Sequence, residues 1–152
     1  MSRTGFDYAE GEFYLTVSEE HNEFVTWKKD YEILGKKRGT VKLLGNVSPY
    51  DLLEGVIWTK MLTVIQVLAC FPSVIRSAFN TKESNPQGLY SITLYHNGIP
   101  KEVLMNNVFP VDTSTNKPSY FRTVGKKFWT NVLGKAIAKL QGSWQEVRNQ
   151  EL

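Results

Sequence analysis

The stretch Phe128-Trp129-Thr130-Asn131-Val132-Leu133-Gly134-Lys135-Ala136-Ile137-Ala138-Lys139-Leu140-Gln141-Gly142 decides how the rest of the chain is read. Phe128, Trp129, Val132, Leu133, Ala136, Ile137 and Leu140 recur at three- and four-residue spacings, which predicts a helix with one broad apolar face. Asn131, Lys135 and Lys139 lie away from that face. Gly142 is a favoured stop, and Lys135 and Lys139 sit near the negative end of the helix dipole. A helix of this kind needs an apolar partner. Upstream, Trp58 to Phe71 carries only Thr59, Lys60, Thr63 and Gln66 as polar side chains. Apolar groups nearly all the way round predict a helix buried on most of its surface, and so a natural partner for the last one.

Working outward, Pro72 suits the first turn of a shorter helix to Phe79, with Val74, Ile75, Ala78 and Phe79 as its buried side. Leu89 to Tyr95 alternates with the period of a strand, Asn97-Gly98 is a strong hairpin signal, and Lys101 to Met105 returns antiparallel. Asn106 to Tyr120, with Pro110 and Pro118, reads as a loop into the last helix. Ser48 to Gly55 reads as a turn or short helical turn. Nearer the start, Glu12 to Val17 and Phe24 to Trp27 read as strands of a β-ribbon, joined by a turn at Ser18 to Asn22. Lys36-Lys37-Arg38-Gly39 reads as a solvated basic turn, because no helix start follows it to present amides to a phosphate.

Composition narrows the class. At 152 residues, with 41% apolar and 12% aromatic residues, the chain is long enough for one domain with a real core and too apolar for disorder. Its net charge of +3 comes from 18 basic and 15 acidic residues that no run concentrates, so nucleic acid is not the expected partner. The single Cys70 leaves nothing for an internal disulfide, no apolar run is long enough to span a bilayer, and the polar start lacks a secretory pattern. We expect a soluble intracellular protein.

The residues themselves name no active site. With two histidines, His21 and His96, and one cysteine, Cys70, the usual nucleophile and base pairs have few candidates. His96 abuts the hairpin turn, where an exposed histidine is expected, and Cys70 falls in an apolar run, where a core residue is expected. No zinc spacing, phosphate loop or dinucleotide fingerprint is present. Asp7, Glu10, Glu12, Glu19 and Glu20 read as solvated surface.

A family nevertheless comes into view. Lys127-Phe128-Trp129 through Leu133, Lys135-Ala136, Ala138-Lys139-Leu140 and Gly142-Ser143-Trp144 resembles the calpain pattern EFW…LLEKAYAKLxGSY. Leu68-Ala69-Cys70 followed by Pro72, Val74-Ile75-Arg76 and Phe79 is similar to LAC…PELIRRVF. Gly88-Leu89-Tyr90, Leu94, Gly98, Val103 and Pro110 look like GIFHF…G…V…DDRLP, and Trp27-Lys28-Lys29 with Glu32-Ile33 resembles WKRPxEI. The resemblance spans residues 27–146 and is to the first, nucleophile-bearing half of the calpain cysteine-protease core. It implies an α+β, papain-like half-domain with a buried central helix, a second amphipathic helix and a β-hairpin. Residues 1–26 become an N-terminal extension and 147–152 a tail.

The departures set the functional expectation. The nucleophile motif QGxLGDCW has its counterpart in Glu54-Gly55-Val56-Ile57-Trp58-Thr59-Lys60-Met61, which puts Lys60 at the catalytic cysteine and Glu54 at the oxyanion-hole glutamine; a slipped register gives Thr59 or Leu62 instead. An ammonium cannot attack a carbonyl, and a carboxylate repels a developing oxyanion. The family's histidine and asparagine belong to a second half-domain beyond the matched stretch. Asp51 matches the aspartate of the calcium motif DIxQG, but Lys127 replaces the glutamate before Phe-Trp, so no calcium is expected.

The resemblance therefore implies a non-catalytic calpain-like structural or scaffolding protein that needs no cofactor, metal or small-molecule substrate and works through protein contacts. Trp58, Met61 and Trp144 are the interface candidates, with completion of the core as their alternative role. Calpain-like proteins without catalytic residues occur with the cytoskeleton or flagellum of protists, so the resemblance further implies a cytoskeletal, ciliary or axonemal place. Two alternatives stand: one subunit of a split cysteine protease whose second half is another chain, and a basic domain touching nucleic acid or anionic lipid through Lys36 to Arg38 and Lys126-Lys127.

Overall fold

The computed structural model describes residues 24–55 and 59–144, an α+β arrangement of six short strands and four helices among those residues. Strand β1 (Val25–Lys29) runs directly into helix α1 (Asp30–Leu34), which Gly35 ends in the left-handed conformation. A 3-10 turn at Pro49–Asp51 leads into β2 (Leu52–Glu54). Helix α2 (Met61–Ala69) and helix α3 (Pro72–Ala78) follow, bent by 109° at the intervening break. Strands β3 (Leu89–His96) and β4 (Ile99–Asn106) precede β5 (Val108–Asp112), β6 (Phe121–Thr123) and the last helix, α4 (Trp129–Gln141).

Three antiparallel pairs make up the sheet structure: β1 with β5, β2 with β6, and β3 with β4. The β3–β4 hairpin stands where its sequence predicted it, with His96 opposite Ile99 and both loop residues at positive φ, 51° for Asn97 and 76° for Gly98. That is the backbone a two-residue hairpin turn needs, and Asn-Gly tolerates it best. The predicted strand at Phe24 to Trp27 is β1, but its partner is β5, with Trp27 opposite Pro110. The other half of the expected ribbon, Glu12 to Val17, lies outside the described residues. The segment from Asn106 to Tyr120 is not a loop throughout, since it contains β5.

The expected roles of the two long helices are exchanged. Helix α4 is the buried one: Trp129, Val132, Ala136 and Ala138 are inaccessible, and so are the polar Thr130 and Lys135. It packs chiefly on β6, β4 and β3 rather than on α2. Gly134 makes the packing on β6 possible, because a Cβ there would lie 2.1 Å from the Phe121 ring. The expected stop holds, with Gly142 at φ 103° donating its amide to Lys139 O.

Helix α2 is the correction. Of its residues only Ile65 and Ala69 are buried, while Val67 is 58% exposed and Phe71, just past its end, 60%. Its all-round apolar pattern predicts burial, but α3, the 3-10 turn and β2 cover only one side of it. Cys70 at its C-terminal cap is exposed, not a core residue. In α3 Ile75 is buried with Phe79 just beyond it, but Val74 is half exposed.

Candidate functional site

The matched catalytic positions lie at the start of α2 and at the end of β2. Lys60 occupies the N-terminal cap of α2, half-buried, and makes no capping hydrogen bond with its side chain. The cap is supplied instead by the buried Thr59, whose Oγ1 accepts the Met61 amide at 3.2 Å. A lysine here places a cation at the positive end of a helix dipole, an arrangement that costs rather than stabilises. Leu62, the other slipped-register position, is half-buried against the core. Glu54 is exposed at the end of β2, opposite Phe121. Next to it Gly55 donates its amide to Tyr120 O at 3.0 Å, and a Cβ at Gly55 would lie 2.2 Å from Ser119 O, so backbone pressed on backbone requires glycine there.

The matched calcium positions form a closed polar knot. The Ser48 amide donates to Asp51 Oδ2 at 3.0 Å and the Trp129 indole donates to the same oxygen at 2.9 Å. Lys127 Nζ forms an ion pair with Asp51 Oδ1 and also donates to Asn46 O. A calcium ion takes six to eight oxygen ligands, usually with several carboxylates. Here the one carboxylate already accepts from an ammonium, an indole and an amide, so these residues do not fit calcium. The ammonium balances the Asp51 charge that a metal would otherwise balance, and it pins the 126–129 segment, at the start of α4, to the 3-10 turn that precedes β2.

The interface candidates separate. Trp58 lies outside the described residues. Met61 is half-buried and packs on the core. Trp144 is 2% exposed and stacks on Tyr120 at 4.7 Å between ring centroids, so it completes the core and presents no surface. His96 is exposed at the end of β3, as its place beside the turn predicts, and His21 lies outside the described residues.

Two buried polar clusters had no sequence signal. Asp30 accepts Asn107 Nδ2 and its neighbour Tyr31's amide on Oδ1, each at 2.7 Å, and the Tyr90 hydroxyl on Oδ2. Burial pushes the Asp30 carboxyl above its ordinary range despite these donors. Burial, and then the negative Asp30, push the Tyr90 phenol far above its own. The second cluster centres on Lys135, whose Nζ donates to Asn106 Oδ1 at 2.6 Å, Val108 O at 2.7 Å and Asn106 O at 3.1 Å, and lies 5.1 Å from the Phe109 ring centroid. Both clusters tie the β4–β5 junction to a helix, and the acceptors and donors involved lie far apart in sequence.

An α+β domain with Gly55 ahead of α2 and Phe128-Trp129 opening α4 keeps the frame of a calpain-like core, with departures at Glu54, Lys60 and Lys127. The chain belongs to the calpain family: the model described as calpain family cysteine protease matches residues 5–152. Among individual proteins it is similar to Calpain-7 of Sus scrofa, Mus musculus and Homo sapiens, 29% identical to each over 62 residues. That match covers 41% of this chain and 8% of each relative, so the aligned stretch is a small part of those proteins.

Proposed function

We propose that this calpain-family chain is non-catalytic and works as a structural component of a larger assembly through protein contacts. The observation that carries the reading is the chemistry at the head of α2, where the position matched to the cysteine nucleophile is Lys60 and the slipped registers offer only Thr59 and Leu62. None of these supplies a thiolate, and Glu54 at the oxyanion position opposes the charge that acyl transfer develops. The apolar surface of α2 and α3 supports the second half of the proposal. Val67, Leu68, Phe71 and Val74 are 37% to 60% exposed, spaced along two consecutive helices, and such surface in a soluble chain marks a contact site. A cytoskeletal or axonemal place belongs to the same proposal and rests on the family resemblance alone.

The test has two arms. The purified chain is expected to leave a fluorogenic peptide uncut with and without calcium, and the exposed Cys70 to react with a peptide electrophile no faster than free cysteine. Calcium-dependent cleavage, or accelerated labelling of Cys70, would favour a split protease. Val67→Asp with Phe71→Asp is expected to release co-purifying proteins while leaving the circular dichroism unchanged, and undiminished co-purification would refute the contact surface.

A further inference from the structure

A cluster of lysines gathers around Gly45, beside Arg76 of α3. Lys42 and Lys127 face each other in an isolated parallel bridge, with Phe128's amide donating to Lys42 O at 3.0 Å. Their stems converge over Gly45: a Cβ there would lie 2.7 Å from Lys42 Cε and 3.2 Å from Lys127 Cδ. Like charges paired across a bridge repel, and only Lys127 has a carboxylate, Asp51, to offset this. Among the described residues neither Lys42 nor the exposed Lys126 has an acidic partner.

Two cavities of about 750 and about 730 Å³ open here and share Lys42, Gly45 and Arg76 as walls, so they adjoin as the two parts of one groove. Lys82 lines the first and Lys126 and Lys127 the second, against Glu83 in the lining and Asp51, which is paired with Lys127. Arg76 donates to Gly45 O and Lys82 to Arg76 O, so these two side chains are anchored to the groove's own backbone.

We infer that this groove binds an acidic, extended segment of a protein partner. Cations spaced along an open recess match a row of carboxylates better than one compact anion, which draws its donors to a point. None of the described lining residues is aromatic, whereas grooves for single-stranded nucleic acid stack bases on aromatic rings. A recess, unlike a projecting apolar and basic face, does not lie against a bilayer. The inference stands whether or not the chain is catalytic.

Fluorescence anisotropy of the full chain with a fluorescein-labelled twelve-residue peptide of repeating Glu-Leu-Glu tests it, beside a Gln-for-Glu control peptide, inorganic phosphate as competitor, a dT oligonucleotide and phosphatidylserine vesicles. The acidic peptide is expected to bind, the control not to, and affinity to fall as salt rises. Lys42→Gln with Lys126→Gln, both outside the core, is expected to weaken binding about tenfold or more with an unchanged melting temperature. Absent binding of the acidic peptide, equal binding by the double variant, full displacement by low phosphate, or tighter binding of the oligonucleotide or vesicles would each overturn it.

Discussion

Replacing Lys135 by Met removes a buried charge while keeping most of the stem that α4 packs around it. Wild-type Lys135 is inaccessible and its ammonium donates to Asn106 O, Asn106 Oδ1 and Val108 O. In the variant these acceptors lose a donor, those of Asn106 in the interior and that of Val108 half-buried. A buried group left unsatisfied costs about 1–3 kcal/mol. The losses do not simply add, since Asn106 Oδ1 keeps the Val108 amide at 3.1 Å. Two terms oppose them: an ammonium no longer has to be desolvated, and the thioether sits well against the Phe109 ring. Charge-assisted bonds are the stronger term here, because three acceptors and a ring face already replace the water the ammonium gave up. We expect a net loss of about 3 kcal/mol, the upper end of what leaving a buried acceptor unsatisfied costs.

At this chain length that loss lowers the melting temperature by about 6–12 °C, readable by circular dichroism and by urea unfolding. Lys139→Met is the internal control. It sits one turn further along the same helix, with its Nζ donating to Leu104 O at 2.5 Å from a partly exposed position. It is expected to change stability by no more than about 0.5 kcal/mol. A Lys135→Met variant as stable as wild type, or no less stable than Lys139→Met, would refute the reasoning that the buried ammonium holds the β4–β5 junction to α4.

Further outcomes follow from the same structure. The wild-type melting temperature is expected to be indifferent to millimolar calcium, whereas Lys127→Glu, which sets a second carboxylate beside Asp51, is expected to lose about 1–3 kcal/mol in chelator and recover part of it in calcium; a calcium-induced rise for the wild type would sink the ion-pair account. Tyr90→Phe deletes a hydroxyl donor to the buried Asp30 and is expected to cost about 1.5–3 kcal/mol at neutral pH. Because the folded Tyr90 stays neutral beyond the ordinary phenol range, its contribution is whole below pH ~10 and is lost as pH climbs, so the gap between wild type and variant should narrow above pH ~10; a gap constant from neutral to strongly alkaline pH argues against it. Gly134→Ala gains about 1 kcal/mol of helix propensity but drives a methyl into the Phe121 ring, for a net loss of about 1–2 kcal/mol, and Phe121→Leu in the same chain should restore part of it.

What the sequence makes legible is local. Asn97-Gly98 specifies its own turn, and Pro72 and Gly142 punctuate their helices. Elements defined by distant partners leave no such mark. Strand β2 is three residues long and exists through its pairing with Phe121–Thr123. Strand β5 contains Pro110, which reads as a loop residue until β1 and Ser119 are seen on either side of it. Lys135 looks like a solvent-facing residue by periodicity alone, because its acceptors lie on other strands.

The exchange between α2 and α4 follows from the same limit and bears on function. Periodicity reports how much apolar surface a helix offers, not whether the rest of the chain covers it. Helix α4 tolerates Thr130, Asn131 and Lys135 in the interior because each finds a partner: Thr130 meets Thr123, Asn131 Nδ2 donates to Phe121 O at 2.6 Å, and Lys135 reaches the β4–β5 junction. Helix α2 has almost no polar side chain to present to water, yet among the described residues nothing packs on Val67 and Phe71 closely enough to bury them. Exposed apolar area of this kind costs free energy in a chain standing alone and returns it on contact, at about 25 cal/mol for each Å² covered. The sequence of α2 thus has the pattern of a covered helix, while among the described residues its outer face stays uncovered.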